Sequence, residues 1–232
     1  MKSIKRINIL LIFQILLSAL IPLYADQFAS KTISSVFEFK NKIEPYNNYK
    51  QLLNNPKEID SHITPKLING VKLLDTLFDF HEILDIPITK LINILIDLEH
   101  EQNIFPRMIY TKDLNPEDSL WEAHLQDVKT QFSFGGLKQD YHYIFYKIPI
   151  LNKDGSFLIK WNLYKSIDKK FNFIYGSWYL KEMVIDNKTY TYVRNYIHYE
   201  LNNVPPYVIL AMHLGGRQGS KNFFKALKKA NN

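Results

Sequence analysis

The feature that most limits the fold of this sequence is a series of short, aromatic-rich segments between residues 108 and 201. Polar turn residues separate the segments, as in Asn152-Lys153-Asp154-Gly155, where glycine supplies the left-handed backbone of a hairpin turn. Connections this short join neighbouring antiparallel strands, so the pattern predicts a single meander. The predicted strands are 108–111, 121–128, 141–150, 157–167, 171–184 and 189–201, with Gly176 expected to form a bulge or bend.

Helix patterns lie on both sides of this meander. A strand over 71–84 is followed by apolar residues that repeat with a period near 3.6, which predicts a helix over 87–100 with Pro87 in its first turn and Asp85 or Ile86 as its cap. After Val204-Pro205-Pro206, residues 207–230 read as a long amphipathic helix. Gly215 and Gly216 are expected to loosen or bend it, because glycine disfavours helix.

The first 25 residues have the pattern of a secretory signal peptide. Lys2, Lys5 and Arg6 precede an apolar run over 9–21, and Ala25 offers a small residue for cleavage. The run is shorter than the roughly 20 residues of a membrane-spanning helix, so an uncleaved anchor is the weaker alternative. We therefore predict export to the periplasm with cleavage after Ala25, or alternatively after Ala29. The chain has no cysteine, which excludes disulfides and a lipid attached to a cysteine.

The charge of the chain argues against nucleic acid as a partner. The formal net charge of +6 includes the three basic residues of the signal peptide, and export removes the protein from most nucleic acid. The remaining excess is concentrated near the C-terminus, where it would suit either contact with an anionic membrane surface or a solvated helix face. The residues of this cluster are Arg217, Lys221, Lys225, Lys228 and Lys229.

Polar clusters in the sequence match no motif for a nucleophile, a phosphate loop or a metal site. His198 is an isolated histidine on a predicted strand, and catalysis there is disfavoured. No catalytic residue, metal ligand or cofactor is predicted. The clusters interpreted as solvated surface are Asp97, Glu99, His100 and Glu101 at the end of the first helix, and His81, Glu82 and Asp85 at the end of the preceding strand.

Three groups of residues carry a resemblance to a known family. They are Asp85-Ile86-Pro87 with Asp97-Leu98-Glu99 around the first helix; Ile104-Phe105-Pro106-Arg107-Met108 before the next strand; and Lys160-Trp161-Asn162-Leu163, Tyr175-Gly176-Ser177-Trp178 and Thr189-Tyr190-Thr191-Tyr192-Val193 in the central strands. In this order of elements, residues 70–230 resemble the START-like (SRPBCC) superfamily. That superfamily includes polyketide cyclase/dehydrase and coenzyme Q-binding proteins.

The resemblance implies an α+β helix-grip fold, in which a curved antiparallel sheet wraps around the long C-terminal helix and short helices follow the first strand. It divides the chain into a signal peptide (1–25), a loosely ordered lead-in (26–69) and a ligand-binding domain (70–232). Members hold lipids, quinones, polyketides or hormones in an apolar cavity, and the family has no universal catalytic residue. The residues expected to line the cavity are Trp121, Tyr143, Trp161, Trp178, Tyr192, Met212 and Gly216.

Three functions are compatible with this reading of the sequence. The favoured one is an exported binder or carrier of a lipophilic small molecule. The alternatives are an envelope protein-interaction module with a filled core, and an enzyme of the cyclase or hydrolase kind that uses a titratable residue in the cavity. The assignment of side chains to the inner face is sensitive to register, because a one-residue slip exchanges the two faces of a strand.

Overall fold

The computed structural model describes residues 49–53, 55–119 and 121–230, and a compact unit spans Asn47–Asn232. The predicted signal peptide and residues 26–48 of the predicted lead-in lie outside the described residues. Eight strands, three α-helices and a 3-10 turn at Tyr49–Leu52 make up the described part. The elements are β1 (Lys57–Ile68), β2 (Val71–Leu84), α1 (Ile88–Ile96), α2 (Glu101–Ile104), β3 (Met108–Asp113), β4 (His124–Phe134), β5 (Leu137–Leu151), β6 (Phe157–Ser166), β7 (Phe171–Ile185), β8 (Lys188–Asn202) and α3 (Pro206–Ala230).

The eight strands form one curved, open, antiparallel sheet in the order β1-β2-β8-β7-β6-β5-β4-β3. Strands β3 to β8 follow one another as the predicted meander, and β8 then pairs with β2. Gly155 closes the β5–β6 hairpin with a φ of 77°, as the turn signal predicts. The helix-grip expectation of a curved sheet with a long C-terminal helix is therefore confirmed. The short helices expected after the first strand follow 71–84, which is the second strand of the sheet.

The interpretation of residues up to 69 as a loosely ordered lead-in is wrong for 57–68. These residues form β1, an edge strand paired along most of its length with β2. Asn69 and Gly70 join the two strands, and both have positive φ, at 51° and 79°. Asn-Gly is the strongest short sequence signal for a hairpin turn of this kind. Here it connects β1 to β2, so residues 57–68 belong to the sheet and not to a linker before the domain.

Three local predictions also need correction. The strand predicted from residue 121 begins only at His124, which leaves Trp121 in the preceding loop. The helix predicted over 87–100 ends at Ile96, and Pro87 is itself the residue at its N-terminal cap. Gly176 forms no bulge, since it pairs in regular register with Trp161 on one side and Ile197 on the other.

Helix α3 packs against the concave face of the sheet, and its buried face includes Val208, Met212, Phe224 and Leu227. The helix is continuous through Gly215 and Gly216, so the predicted loosening does not interrupt it. Apolar residues from every second position of the central strands complete the core. Among the described residues, no helix combines the length and apolarity needed to span a bilayer.

Candidate ligand cavity

A cavity of about 210 Å³ lies between the concave face of the sheet and α3. Aromatic side chains dominate its walls, which gives it the apolar character typical of sites for small lipophilic molecules. Both the sheet and the helix contribute. The aromatic lining residues are Phe78, Phe105, Phe132, Tyr141, Tyr143, Phe145, Trp161, Phe171, Trp178, Tyr199 and Phe223.

Small residues on α3 keep this space open. Gly216, Gly219 and Ser220 face the cavity, where larger side chains would fill it. A Cβ atom added at Gly216 would lie 3.0 Å from Phe78, and one added at Gly219 would lie 3.1 Å from the guanidinium of Arg107. At these two positions the helix thus lies in close contact with Phe78 and Arg107, and a larger side chain would have to displace a neighbour or enter the cavity.

On the sheet side, the position of Trp161 depends on a glycine in the neighbouring strand. A Cβ atom added at Gly176 would lie 2.6 Å from the Trp161 ring and closer still to the backbone carbonyl oxygen of Tyr196. The indole of Trp161 thus lies against the backbone of β7, where only glycine leaves room for it. This contact is the physical reason for Gly176.

A buried ion pair forms the polar end of the cavity. Glu101 of α2 accepts hydrogen bonds from the ammonium of Lys147 on β5, with 2.7 Å to each carboxylate oxygen. The side-chain amide of Gln126 on β4 donates to the same carboxylate at 2.6 Å. Glu101 and Lys147 are only 3% and 5% exposed. A buried pair of charges gives this end of the cavity a polar surface that a ligand hydroxyl or carbonyl could meet.

The tyrosines of the cavity remain hydrogen-bond donors over the whole physiological range. Burial raises the pKa of Tyr141, Tyr143 and Tyr199 above the ordinary value of 10, because the charged phenolate would be poorly solvated there. The hydroxyl of Tyr199 lies 3.9 Å from the sulfur of Met212 on α3. These groups add polar points to an otherwise apolar wall.

Arg107 lies at the mouth of the cavity in an unusual backbone conformation. Its φ is 75°, a left-handed value that is uncommon for a residue other than glycine. The guanidinium lies 5.0 Å from the centre of the Phe132 ring and against Gly219 of α3. The backbone carbonyl accepts a hydrogen bond of 2.7 Å from the Gln131 amide, which holds this conformation at the β3–β4 edge.

An open groove of about 960 Å³ adjoins the mouth. The groove and the cavity share the segment Phe105–Met108 and Asn222, so the same residues border both spaces. Lys225 and Lys229 of α3 also border the groove and are exposed. The arrangement is an apolar chamber beside a groove whose charged border is mostly cationic, with Asp97 as its one carboxylate among the described residues.

Comparisons with known proteins place this architecture among solved structures. No family model matches the sequence, and no curated protein is significantly similar to it. Human StAR-related lipid transfer protein 5 superposes with a TM-score of 0.56 at 9% identity, over 90% of this chain and 96% of the human chain. A STAR-related lipid transfer protein from Xanthomonas axonopodis superposes with a TM-score of 0.53 at 12% identity, over 73% of this chain and 97% of the other.

The chain has the helix-grip fold of START-like proteins. In this fold the long C-terminal helix closes the concave side of the sheet, which is where the cavity lies. The likeness to the two lipid transfer proteins is one of fold, at an identity too low to transfer a ligand or a site residue.

Within this START-like fold, five of the seven residues predicted to line the cavity do so: Tyr143, Trp161, Trp178, Met212 and Gly216. Trp121 does not, because it lies in the loop before β4, where it is 49% exposed and its ring contacts Phe157. Tyr192 does not, because the residues of β8 that face the cavity are Asn195, Ile197, Tyr199 and Leu201, and an even-numbered position points to the opposite face. The prediction that Trp121 and Tyr192 line the cavity is therefore wrong.

The interpretation of the polar clusters as solvated surface is only partly right. Asp97 and His100 are exposed and pair with each other at 2.8 Å. Glu101 is buried at the polar end of the cavity. His81 and Glu82 are also buried, and they lie on opposite faces of β2. His81 contacts Asp79 and Tyr192, and Glu82 is paired with Lys228 of α3.

The residues that sequence reasoning missed are Arg107, Glu101 and Lys147. For Lys147 a signal was present, because alternation along β5 puts it on the same face as Tyr141, Tyr143 and Phe145. A lysine on an aromatic strand face calls for a buried acidic partner. The sequence offered no comparable signal for Arg107, whose placement depends on the backbone at the end of α2.

Proposed function

We propose that this protein is an exported carrier of a lipophilic molecule whose apolar part lies in the cavity of about 210 Å³ beneath α3. The observation that carries the proposal is an open, aromatic-walled cavity that small residues of the helix leave unfilled. The shared fold with two lipid transfer proteins supports the same reading. A protein-interaction module with a filled core would not leave an aromatic-walled space of this size beneath α3.

The charges at the mouth favour an amphiphile with an anionic head group. Arg107 borders both the cavity and the groove, and Lys225 and Lys229 lie further along the groove. A tail in the cavity would place a carboxylate or phosphate beside these cations, where charge-assisted hydrogen bonds are strong. Strained backbone at Arg107 is consistent with a residue held for ligand contact.

The same cations support contact with an anionic membrane surface during loading. Of the basic cluster near the C-terminus, Arg217 pairs with Glu58 and Lys228 with Glu82. Lys225 and Lys229 are exposed beside the mouth. We infer that these two lysines, rather than the whole cluster, would approach lipid head groups.

Two neighbouring glycines of α3 provide a matched test of ligand binding. Gly216→Leu would place a side chain into the cavity against Phe78, whereas an atom added at Gly215 would meet nothing within 4 Å. Both changes replace glycine by leucine in one helix, so their effects on helix propensity are the same. We expect Gly216→Leu to abolish binding of a fluorescent polyene fatty acid and Gly215→Leu to leave it unchanged.

Fluorescence titration of the full-length variants measures this difference, and thermal unfolding verifies that each variant is folded. Native mass spectrometry of wild-type protein from a membrane-containing lysate should show a lipophilic adduct that Gly216→Leu lacks. Equal binding by the two folded variants, or a wild-type chain that takes up no apolar probe, would refute the carrier function.

A further inference from the structure

Two histidines and an aspartate converge on the convex face of the sheet, away from the cavity. His62 lies on β1, Asp75 on β2 and His198 on β8, and their side-chain ligand atoms all lie within 4.8 Å of one another. The Nε2 atom of His62 is 3.3 Å from Oδ1 of Asp75, and the Nε2 atom of His198 is 2.7 Å from the same oxygen. Two imidazoles thus approach one carboxylate oxygen from two different strands.

The backbone ladder fixes this arrangement. His62 and His198 are both paired with Leu77, one from each side, and Asp75 lies two residues along β2 on the same face. Zinc bonds of about 2.0–2.1 Å at tetrahedral angles put neighbouring ligand atoms about 3.3 Å apart. The separation of His62 and Asp75 matches that value, and a small rotation of the His198 ring would bring the second distance to it.

The neighbours of these three residues orient them as the outer shell of a metal site does. The hydroxyl of Tyr175 lies 2.6 Å from Nδ1 of His198, which leaves Nε2 directed at Asp75. Lys66 holds the other oxygen of Asp75 at 2.6 Å and lies 3.5 Å from Glu200. Two carboxylates and one ammonium surround the imidazoles, and the formal charges of these three groups sum to −1, which favours a cation.

We propose that His62, Asp75 and His198 bind a divalent transition-metal ion, with zinc as the expected ion and a fourth position open to water. Imidazole nitrogen and carboxylate oxygen are the ligand types that such ions accept, and three protein ligands with an open position form a common zinc site. The ion would tie the edge strand β1 to β2 and β8. In a chain without cysteine, this would be a cross-link between strands that a disulfide cannot supply.

Cobalt(II) and zinc(II) are the probes for this site. Chelator-treated, full-length protein is titrated with Co²⁺, whose visible absorption reports a low-coordinate nitrogen and oxygen environment, and Zn²⁺ is then added as a competitor. The variants are His62→Ala and His198→Gln. The matched control is His100→Ala, because His100 also lies beside an aspartate, Asp97 at 2.8 Å. Among the described residues, however, only His62, Asp75 and His198 bring three possible metal ligands together.

We expect one ion per wild-type chain, a melting temperature that rises with Zn²⁺, and binding at least tenfold weaker in His62→Ala and His198→Gln. His100→Ala should behave as the wild type. The side chain of His62 is 39% exposed, so its removal should leave the fold intact, which thermal unfolding without metal verifies. No binding at micromolar metal, or binding that folded His62→Ala retains, would show that the cluster is a hydrogen-bond network alone.

Discussion

At the scale of single residues, the cavity is defined by a few charges in an aromatic surrounding. Glu101 and Lys147 neutralise each other at one end, and Gln126 supplies a further hydrogen bond to the carboxylate. Removing one partner of such a buried pair typically costs about 3–5 kcal/mol, because the other charge is left without compensation. Arg107 at the mouth has a different setting, since it borders the groove and is exposed.

The contrast between these charges leads to a prediction for Arg107→Gln. We expect this change to weaken binding of a long-chain fatty acid about ten- to hundredfold, which corresponds to the loss of a charge-assisted hydrogen bond. Binding of the fatty alcohol of the same length should change little, because it carries no charge. Fluorescence competition with both ligands measures the two affinities.

The control for Arg107 is Arg217→Gln, which removes an arginine of α3 whose partner is Glu58, away from the cavity. It should leave both affinities unchanged. A parallel loss for acid and alcohol in Arg107→Gln would contradict the role assigned to the charge.

Lys160 gives a prediction for the pH dependence of stability. It lies on the convex face of β6, where burial lowers its pKa from 10.5 to about 8. Between these values the unfolded chain holds a proton that the folded chain has released, so stability rises as the pH increases from about 8 to 10.5. Below pH 8 the full cost of burying the ammonium remains.

We therefore expect Lys160→Met to raise the free energy of unfolding by about 1–2 kcal/mol at pH 7 and to flatten the rise above pH 8. Urea denaturation across this pH range measures both effects. Lys165→Met, which changes an exposed lysine of the same strand, should alter neither. An unchanged slope in Lys160→Met would contradict the assignment of the pH dependence to this residue.

At the scale of elements, the pairing of β6 with β7 depends on close contact between Trp161 and Gly176. We expect Gly176→Ala to destabilise the protein by about 1–3 kcal/mol or more, since the added Cβ would meet the Trp161 ring at 2.6 Å and the Tyr196 carbonyl. Gly215→Ala, in open space on α3, should stabilise it by up to about 1 kcal/mol. Chemical denaturation of the two variants compares a glycine whose added Cβ would clash with one whose added Cβ would meet nothing within 4 Å.

If Gly176→Ala unfolded at the same denaturant concentration as the wild type, the close contact would not be a feature of the folded protein. Tryptophan fluorescence gives a second readout, because displacement of the Trp161 ring should change its emission even where the loss of stability is small.

The elements were also the level at which the sequence was most informative. Turn residues such as Asn152 to Gly155 and the period of the long helix are local signals, so the meander and α3 could be predicted. Asn69-Gly70 is an equally local signal for a hairpin turn, and it was not used. For that reason β1 was not predicted. The inner and outer faces of β8 could not be predicted, because they depend on register with β2 and β7.

The candidate site was less predictable than the fold for the same reason. Lys147 and Glu101 are 46 residues apart, and their contact depends on how α2 packs beside the sheet. The residues of the convex cluster come from β1, β2 and β8, which no spacing in the sequence brings together. Strand alternation and the apolar helix face correctly predicted five cavity residues. The prediction for Trp121 is wrong because β4 begins later than expected, and the prediction for Tyr192 is wrong because the other face of β8 lines the cavity.

At the scale of the whole molecule, the proposal of an exported carrier makes a prediction about the chain itself. Expressed at full length in a bacterial host, the protein should be recovered from the periplasmic fraction with an intact mass that begins at Asp26, or at Ser30 if cleavage follows Ala29. Leu16→Arg, which interrupts the apolar run, should leave the chain uncleaved in the cytoplasm. A wild-type chain that keeps residues 1–25 and stays with the membrane would support the anchor instead.

The small residues on the inner face of α3 have a consequence for how such a protein can change its preference among ligands. Gly216, Gly219 and Ser220 stand on one side of one helix, and none of them pairs in the sheet. Their enlargement or replacement would resize the chamber while leaving every strand pairing intact. Ligand size in such chains could therefore change through three positions of one helix, provided that neighbours such as Phe78 and Arg107 make room for the larger side chain. A library that varies these three positions together with those neighbours is the natural starting point for redesigning what the protein carries.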